Sequence, residues 1–253
     1  MAYMTEAKED VLYPRAPIVE AVMELRFEDV AVSRLRNAAD AIQAQYENRE
    51  TDKLFEGNLN FEARSSSFKE ISDRFRFSSW DQTDLLILTS QAAIWSRLAP
   101  YEGWAQFCGR IAEQLPKIYK NLGRPKLTRL GLRYINRIDV PLGADNVGYH
   151  ENYLTFRIVA DDILDPTDGF QWALTKKFPA QDLAVNVQSA NVVSELPRHS
   201  AVSFDIDVFT LVDVPNQVDD ILEKLGDMRR LKNEIFETGI TDEARKLFNA
   251  ADD

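Results

Sequence analysis

Along Ile18–Phe27, IVEAVMELRF, the odd positions Val19, Ala21, Met23, Leu25 and Phe27 are apolar, while the even ones include Glu20, Glu24 and Arg26. A period of two sends successive side chains to opposite faces, so this segment predicts a strand with one core face and one polar face. The YPRAP stretch at 13–17 reads as an extended approach, because proline pushes the residue before it out of the helical region. Beyond the strand, Leu35, Ala38, Ala39, Ile42 and Tyr46 recur at helical spacing, with Asp29 placed to cap the helix and the polar run 47–53 as its fading end. Short strands are expected near 59–63, 75–79, 85–90 and 93–98, with the clearest turn at 81–84. Trp104, Phe107, Cys108, Ile111, Leu115, Ile118, Tyr119 and Leu122 then describe an amphipathic helix over about 101–121. Pro116 should kink or divide that helix, and Gly123 should end it.

The pattern then begins again. Residues 127–140, LTRLGLRYINRIDV, form a second alternating strand that carries Arg133, Asn136 and Arg137 where a plain core strand would stay bland. A Pro141-Leu142-Gly143 break follows, and 150–164 reads as a helix. Strands fit 170–178, 183–190 and 201–211. Val218, Ile221, Leu222, Leu225, Met228 and Ile235 fit a long helix, and Thr241 can cap a last short one through Phe248. Each half thus runs strand, helix, three or four antiparallel strands, long helix, with MELRF echoed by LGLRY and LILTSQAA by LAVNVQSA. The expected fold is α+β: a duplicated unit whose first strands pair about a pseudo-twofold axis to make one curved antiparallel sheet with helices on one face. The layout is similar to the saddle of the TATA-binding-protein fold, a likeness of architecture that says nothing of function. The expected organisation is a lead-in over 1–17, a first pseudo-repeat over 18–122 and a second over 127–253, joined in one integrated domain.

Composition narrows the function classes. The 253 residues are 45% hydrophobic and 28% charged with a net charge of -11, an ordinary globular balance whose field repels a phosphate backbone. A membrane partner is not expected and nucleic acid is disfavoured. Cys108 is the sole cysteine, so neither an intramolecular disulfide nor a cysteine-rich metal site can form, and its place on the helical stripe reads as a small buried hydrophobe. No run approaches a membrane span, and MAYMTEAKED lacks the order of a signal peptide, so a cytoplasmic setting is expected.

Three motifs, PIVEAVMELRF, GLRYINRI and LKNEIFETGIT, resemble in order a sporadically distributed family of bacterial proteins. The resemblance implies a bacterial or phage setting and brings no activity, ligand or catalytic residue with it.

If the apolar strand faces meet the helices, the opposite face gathers Glu20, Glu24, Arg26, Arg133, Arg137 and Asp139, and farther out Arg74, Arg76, Asn186, Gln188, Ser203, Asp205 and Asp207. Two readings stand. The charges are a solvated ladder of cross-strand pairs, each worth roughly 0.2–1 kcal/mol. Alternatively Arg26 and Arg133, matched in the repeat, stand side by side with Arg137 nearby as an anion clamp, with Glu20 and Glu24 as competitors. Asn136 shares the parity of Leu132 and Tyr134, so its amide should be buried and hydrogen-bonded, fastening structure or touching a ligand.

Catalytic templates are missing. His150 and His199 are the only histidines and lack metal-site spacing, and no GxGxxG, GxxxxGK[ST] or GxSxG occurs. Asp205 and Asp207 share a strand face that could hold a cation, while the acidic stretch from Asp161 to Asp168 lacks the order of a calcium loop. Trp80, Trp95, Trp104 and Trp172 read as core or edge aromatics, with no basic groove around them. No cofactor or metal is expected. The leading expectation is a non-enzymatic binding protein, an accessory, inhibitory or immunity component with a protein partner or a small anionic ligand. The alternative is a small-ligand or nucleotide-handling enzyme using the arginine-rich centre of the sheet.

Overall fold

The computed structural model describes residues 13–60, 65–156 and 169–249, with 54–60 and 65–72 described by backbone alone. Among these lie the strands β1 (Ile18–Phe27), β2 (Asn48–Asn60), β3 (Ser65–Ser78), β4 (Asp84–Leu88), β5 (Ala92–Leu98), β6 (Leu127–Pro141), β7 (Gln171–Phe178), β8 (Leu183–Val192) and β9 (His199–Thr210). They form one curved, unclosed antiparallel sheet in the order β2-β3-β4-β5-β1-β6-β9-β8-β7. Four helices, α1 (Val32–Ile42), α2 (Trp104–Asn121), α3 (Val218–Gly239) and α4 (Asp242–Asn249), accompany it on one side. The fold is α+β as expected.

The alternation read from β1 decides which way each side faces. Ala21, Met23, Leu25 and Phe27 are buried, as are Leu130, Leu132, Tyr134 and Ile138 of β6, and both sets join one continuous core with the helices. β1 and β6 pair antiparallel at the centre of the sheet, Met23 opposite Leu132 and Arg26 opposite Arg129. Moving outward, β1 is followed by β5, β4, β3 and the edge strand β2 on one side, and β6 by β9, β8 and the edge strand β7 on the other. The helix expected over 150–164 is missing from its described part: His150–Asn152 makes a single 3-10 turn, and 157–168 fall outside the described residues. The backbone beyond the turn is committed elsewhere, Thr155 N–H donating to Gly239 O at 2.9 Å and Leu154 bridging Ile240.

Other differences have local causes. The polar run 47–53 lies mostly in edge strand β2, where polar side chains are tolerated and the stem of Arg49 covers Phe75, its guanidinium 4.6 Å from the ring centre. Of the strand expected at 59–63, Leu59 and Asn60 belong to β2 and the rest lies outside the described residues. The cap of α1 is Ala31 with no side-chain bond, because Glu28 and Val30 pin their N–H groups to Lys126 and Ser90 and hold Asp29 away from the helix start. α2 runs unbroken through Pro116, which lies on its exposed side, where solvent can serve the carbonyl left without a donor. Gly123 ends α2 at φ +83°, with Arg124 N–H returning to Tyr119 O at 2.9 Å. Thr241 caps α4 by accepting from Ala244 N–H at 3.3 Å. Cys108 is half-buried, and burial raises its thiol pKa. Trp80, expected at a core or edge, stands 83% exposed in the β3–β4 turn.

Candidate functional site

Strand register turns the face away from the helices into a map. One row across the strands runs Ile87, Ile94, Glu24, Gly131, Phe209; the next runs Leu85, Ser96, Val22, Arg133, Asp207, Asn186; a third runs Leu98, Glu20, Ile135, Asp205, Gln188. The face therefore divides. Its half built from β4, β5 and β1 carries half-buried Leu85, Ile87, Ile94, Leu98 and Val22, where a polar mixture was expected, and Ile135 extends this strip across the centre. Its half built from β6, β9 and β8 is polar.

The polar half is tied together by ion pairs. Arg133 holds the Asp205 carboxylate through Nε at 2.8 Å and again through Nη2. The hydrogen bond that Arg133 donates to Asp205 is the largest influence on its guanidinium, raising its pKa, and Glu20 adds to it through space. Arg137 bonds Asp139 at 3.2 Å and Glu195 at 2.6 Å, and Glu195 is the chief cause of its raised pKa. Arg26 bonds Glu24 at 2.8 Å on its own strand. Arg129, absent from the expected set although it has the parity of Arg133, is the most enclosed of these arginines, its side chain 14% exposed. It reaches Glu24 through Nη1 and both oxygens of Asp207 through Nη2, at 2.9 and 2.8 Å, and lies 4.9 Å over the Phe209 ring. Burial pushes the Asp207 carboxyl up, and Arg129 opposes that push.

The glycine of LGLRY makes this possible. A Cβ on Gly131 would lie 2.1 Å from Arg129 Nη1, so the missing side chain leaves the track along which Arg129 crosses to Asp207. A glycine inside an alternating strand was the available signal for a close approach of this kind.

Register separates the expected clamp. Arg26 stands opposite Arg129, and Arg133 opposite Val22, so Arg26 and Arg133 are offset by four strand residues, about 13 Å. Each already holds a carboxylate, and on this face Arg26, Arg129, Arg133 and Arg137 meet Glu20, Glu24, Asp139, Glu195, Asp205 and Asp207. Asp205 and Asp207, considered for a cation, serve arginines instead. Asn136 is 2% exposed on the helix-facing side, and its Nδ2 donates to Phe204 O at 2.8 Å, fastening β6 to β9. The outlying Arg76 pairs with Glu50 at 3.2 Å, and Ser203 bonds the backbone of Ala190.

The fold also assembles a group that spacing in the sequence did not reveal. His150 Nε2 lies 3.0 Å from Ser200 Oγ, and its Nδ1 lies 3.3 Å from Asn191 Nδ2. This has the outline of a serine–histidine–asparagine nucleophile, but the hydrogen bonds run the wrong way. Asn191 Oδ1 accepts from Phe170 N–H at 2.6 Å, so its amide NH₂ faces the ring. Nδ1 must then accept, and Nε2 carries the proton and donates it to Ser200, which leaves no base for the hydroxyl. Burial lowers the His150 pKa and keeps the ring neutral. The group fastens the β8–β9 hairpin to the 3-10 turn between β6 and β7.

No family model and no curated protein matches this chain. Among solved structures, S. pombe Pct1 RNA triphosphatase in complex with the Spt5 CTD aligns at 9% identity, covering 94% of this chain and 88% of that one, with a TM-score of 0.12, which carries no argument.

Proposed function

We propose that this chain is a non-enzymatic binding protein that receives a protein partner on the face of the sheet opposite its helices. The bacterial or phage setting implied by the three sequence motifs belongs to the same proposal. The supporting observation is the apolar strip Leu85, Ile87, Ile94, Leu98, Val22 and Ile135 beside an ordered ladder of ion pairs. A face meant only for water reads as polar on an antiparallel sheet, whereas an apolar centre bordered by charge is the make-up of an interface. The ladder is ordered before any partner arrives, so less side-chain freedom is lost on docking. With more carboxylates than arginines on the face, and a net charge of -11 on the chain, the matching surface is an apolar projection flanked by lysine or arginine. An anionic ligand on Arg26 and Arg133 has less support, because both guanidiniums are already engaged.

Affinity capture of the partner, followed by reconstitution from purified proteins, tests the reading. Ile94→Lys and Ile135→Asp should each weaken the reconstituted complex by about tenfold or more, the loss expected for a central contact. Lys224→Glu, on the helix side, should not. Undiminished binding by both face variants, with melting temperatures near wild type, would overturn the proposal.

A further inference from the structure

A second feature lies on the helix side, where the start of β4, the end of β5 and the start of α2 meet. Asp84, Arg97, Glu102, Gly103, Gln106 and Arg110 border a cavity of about 50 Å³. A single water needs roughly 10–15 Å³ of such space, so the cavity has room for several waters or one small oxyanion. Its walls are unusual for the core side of a sheet. Arg97 is 8% exposed at a helix-facing position opposite Ala21, where an arginine contributes nothing to apolar packing and its charge must be answered.

The answer is incomplete. Arg97 gives Nε and Nη2 to Pro100 O at 3.1 and 3.0 Å and lies 3.2 Å from Asp84. Arg110 is ion-paired with the same Asp84 and donates Nη2 to Ser96 O at 2.8 Å, while its Nε is buried with no hydrogen-bond partner among the described residues. Two largely buried guanidiniums thus share one carboxylate, whose side chain is 30% exposed. Glu102 supplies the second negative charge from a 53% exposed side chain, at 3.3 Å from Arg97, longer than the roughly 2.7–2.9 Å of a good charge-assisted bond. Gly103, at φ +106°, precedes the 18-residue α2 with no side-chain cap, and Gly103 and Gln106 place the start of the helix on the same cavity.

We propose that this cavity binds a free oxyanion of phosphate size, which takes the place of the Glu102 carboxylate on Arg97, beside the Arg110 guanidinium and the start of α2. The ion is held by two guanidiniums, with Asp84 as the shared counter-charge, and Glu102 is the side chain that gives way. Desolvation is the largest influence on the Arg110 guanidinium, lowering its pKa, and a bound anion relieves it. The proposal is independent of the docking face on the opposite side of the sheet.

Titration of the full chain with inorganic phosphate, followed by calorimetry and phosphorus NMR against chloride at matched ionic strength, tests it. Saturable binding with a Kd at or below about 1 mM is expected. Glu102→Gln removes the competitor from an exposed position and should tighten binding several-fold. Gln106→Glu, also at an exposed position, places a carboxylate on the cavity wall and should weaken it by about tenfold, equivalent to about 1.4 kcal/mol. Both substitutions leave the enclosed arginines in place, so both proteins should fold, and their melting curves check this. Absence of phosphate binding in excess of chloride, or binding that does not move in these two opposite directions, would overturn the proposal.

Discussion

At the scale of single residues, Gly131 shows how an absent side chain positions a present one. Replacing it by alanine would ordinarily favour a strand by about 0.5–1 kcal/mol, through lower entropy in the unfolded chain. Here the added methyl meets the far end of Arg129, which can move, but only by leaving Glu24 and Asp207. Asp207 would then keep a half-buried charge without its main partner, a loss of about 1–3 kcal/mol or more. The second effect is larger, so Gly131→Ala should be net destabilising at pH 7. The defect should shrink at a lower pH, because burial raises the Asp207 pKa and so favours its neutral carboxyl as pH falls. Denaturant melts at the two pH values measure this, and a stabilised variant at pH 7 would show that Arg129 is dispensable. His150 makes a different prediction. In the unfolded chain its imidazole takes up a proton near the ordinary 6.5, and burial lowers that value in the folded chain. Between the two values the unfolded state holds more protons, so stability rises with pH through this window. The contribution is complete above about 6.5 and is lost as pH falls from there toward the lowered value, because a protonated Nδ1 would face the Asn191 NH₂. His150→Gln should flatten that part of the stability profile while leaving the limb governed by carboxylates unchanged.

At the scale of elements, Asn136 joins two strands by a bond that the ladder itself does not supply. Its parity alone predicted a buried, bonded amide, and Phe204 O is the acceptor. Asn136→Leu should therefore cost about 1–3 kcal/mol, the usual penalty for a buried polar group left without its partner. Guanidinium melts check the magnitude, and faster amide exchange at the middle of β6 and β9 would locate it; unchanged stability would show that water or relaxation replaces the bond. Elements of this kind were legible because each has one wet side and one dry side: β1, β6, α2 and α3 all carry a clean period of two or of 3.6. Where legibility failed, some other part of the chain intervened. The residues of 48–53 are polar yet lie in a strand, since an edge position asks only for backbone pairing and a covering stem such as Arg49. Pro116 was read as a break, but a proline on the exposed side of a well-anchored helix can be accommodated. The faces of the central strands were readable from parity, including those of Arg133 and Asn136. Their partners were not, because Arg129 reaches Asp207 across 78 residues of sequence and over a glycine. Likewise, Arg97 occupies a core-facing position in a strand whose alternation marks the side but cannot say that Arg110 comes to meet it from α2.

At the scale of the whole molecule, the position of β1 and β6 decides how the chain should unfold. Each is the inner edge of its own half, and each finds its second neighbour in the other. Separating 18–122 from 127–249 would leave both strands with an unpaired row of backbone groups and would open the contact in which Tyr101 OH meets Tyr134 OH at 2.8 Å. Core residues of both halves belong to one continuous cluster, so neither half keeps its dry side intact alone. A chain of 253 residues is large enough for intermediates to be common, which makes the expectation a discriminating one. Trp95 is fully buried in the first half and Trp172 is partly buried in the second, and with the remaining tryptophans replaced by phenylalanine each can report alone. The two single-tryptophan proteins should give coincident denaturation curves after correction for their small stability differences, and the same midpoint by far-ultraviolet circular dichroism. The halves expressed separately should fail to give cooperative transitions. If Trp172 reports a distinctly lower midpoint than Trp95, or if 18–122 alone melts cooperatively, the central strand pair is a junction between two autonomous units, and the docking face should then be sought within one of them.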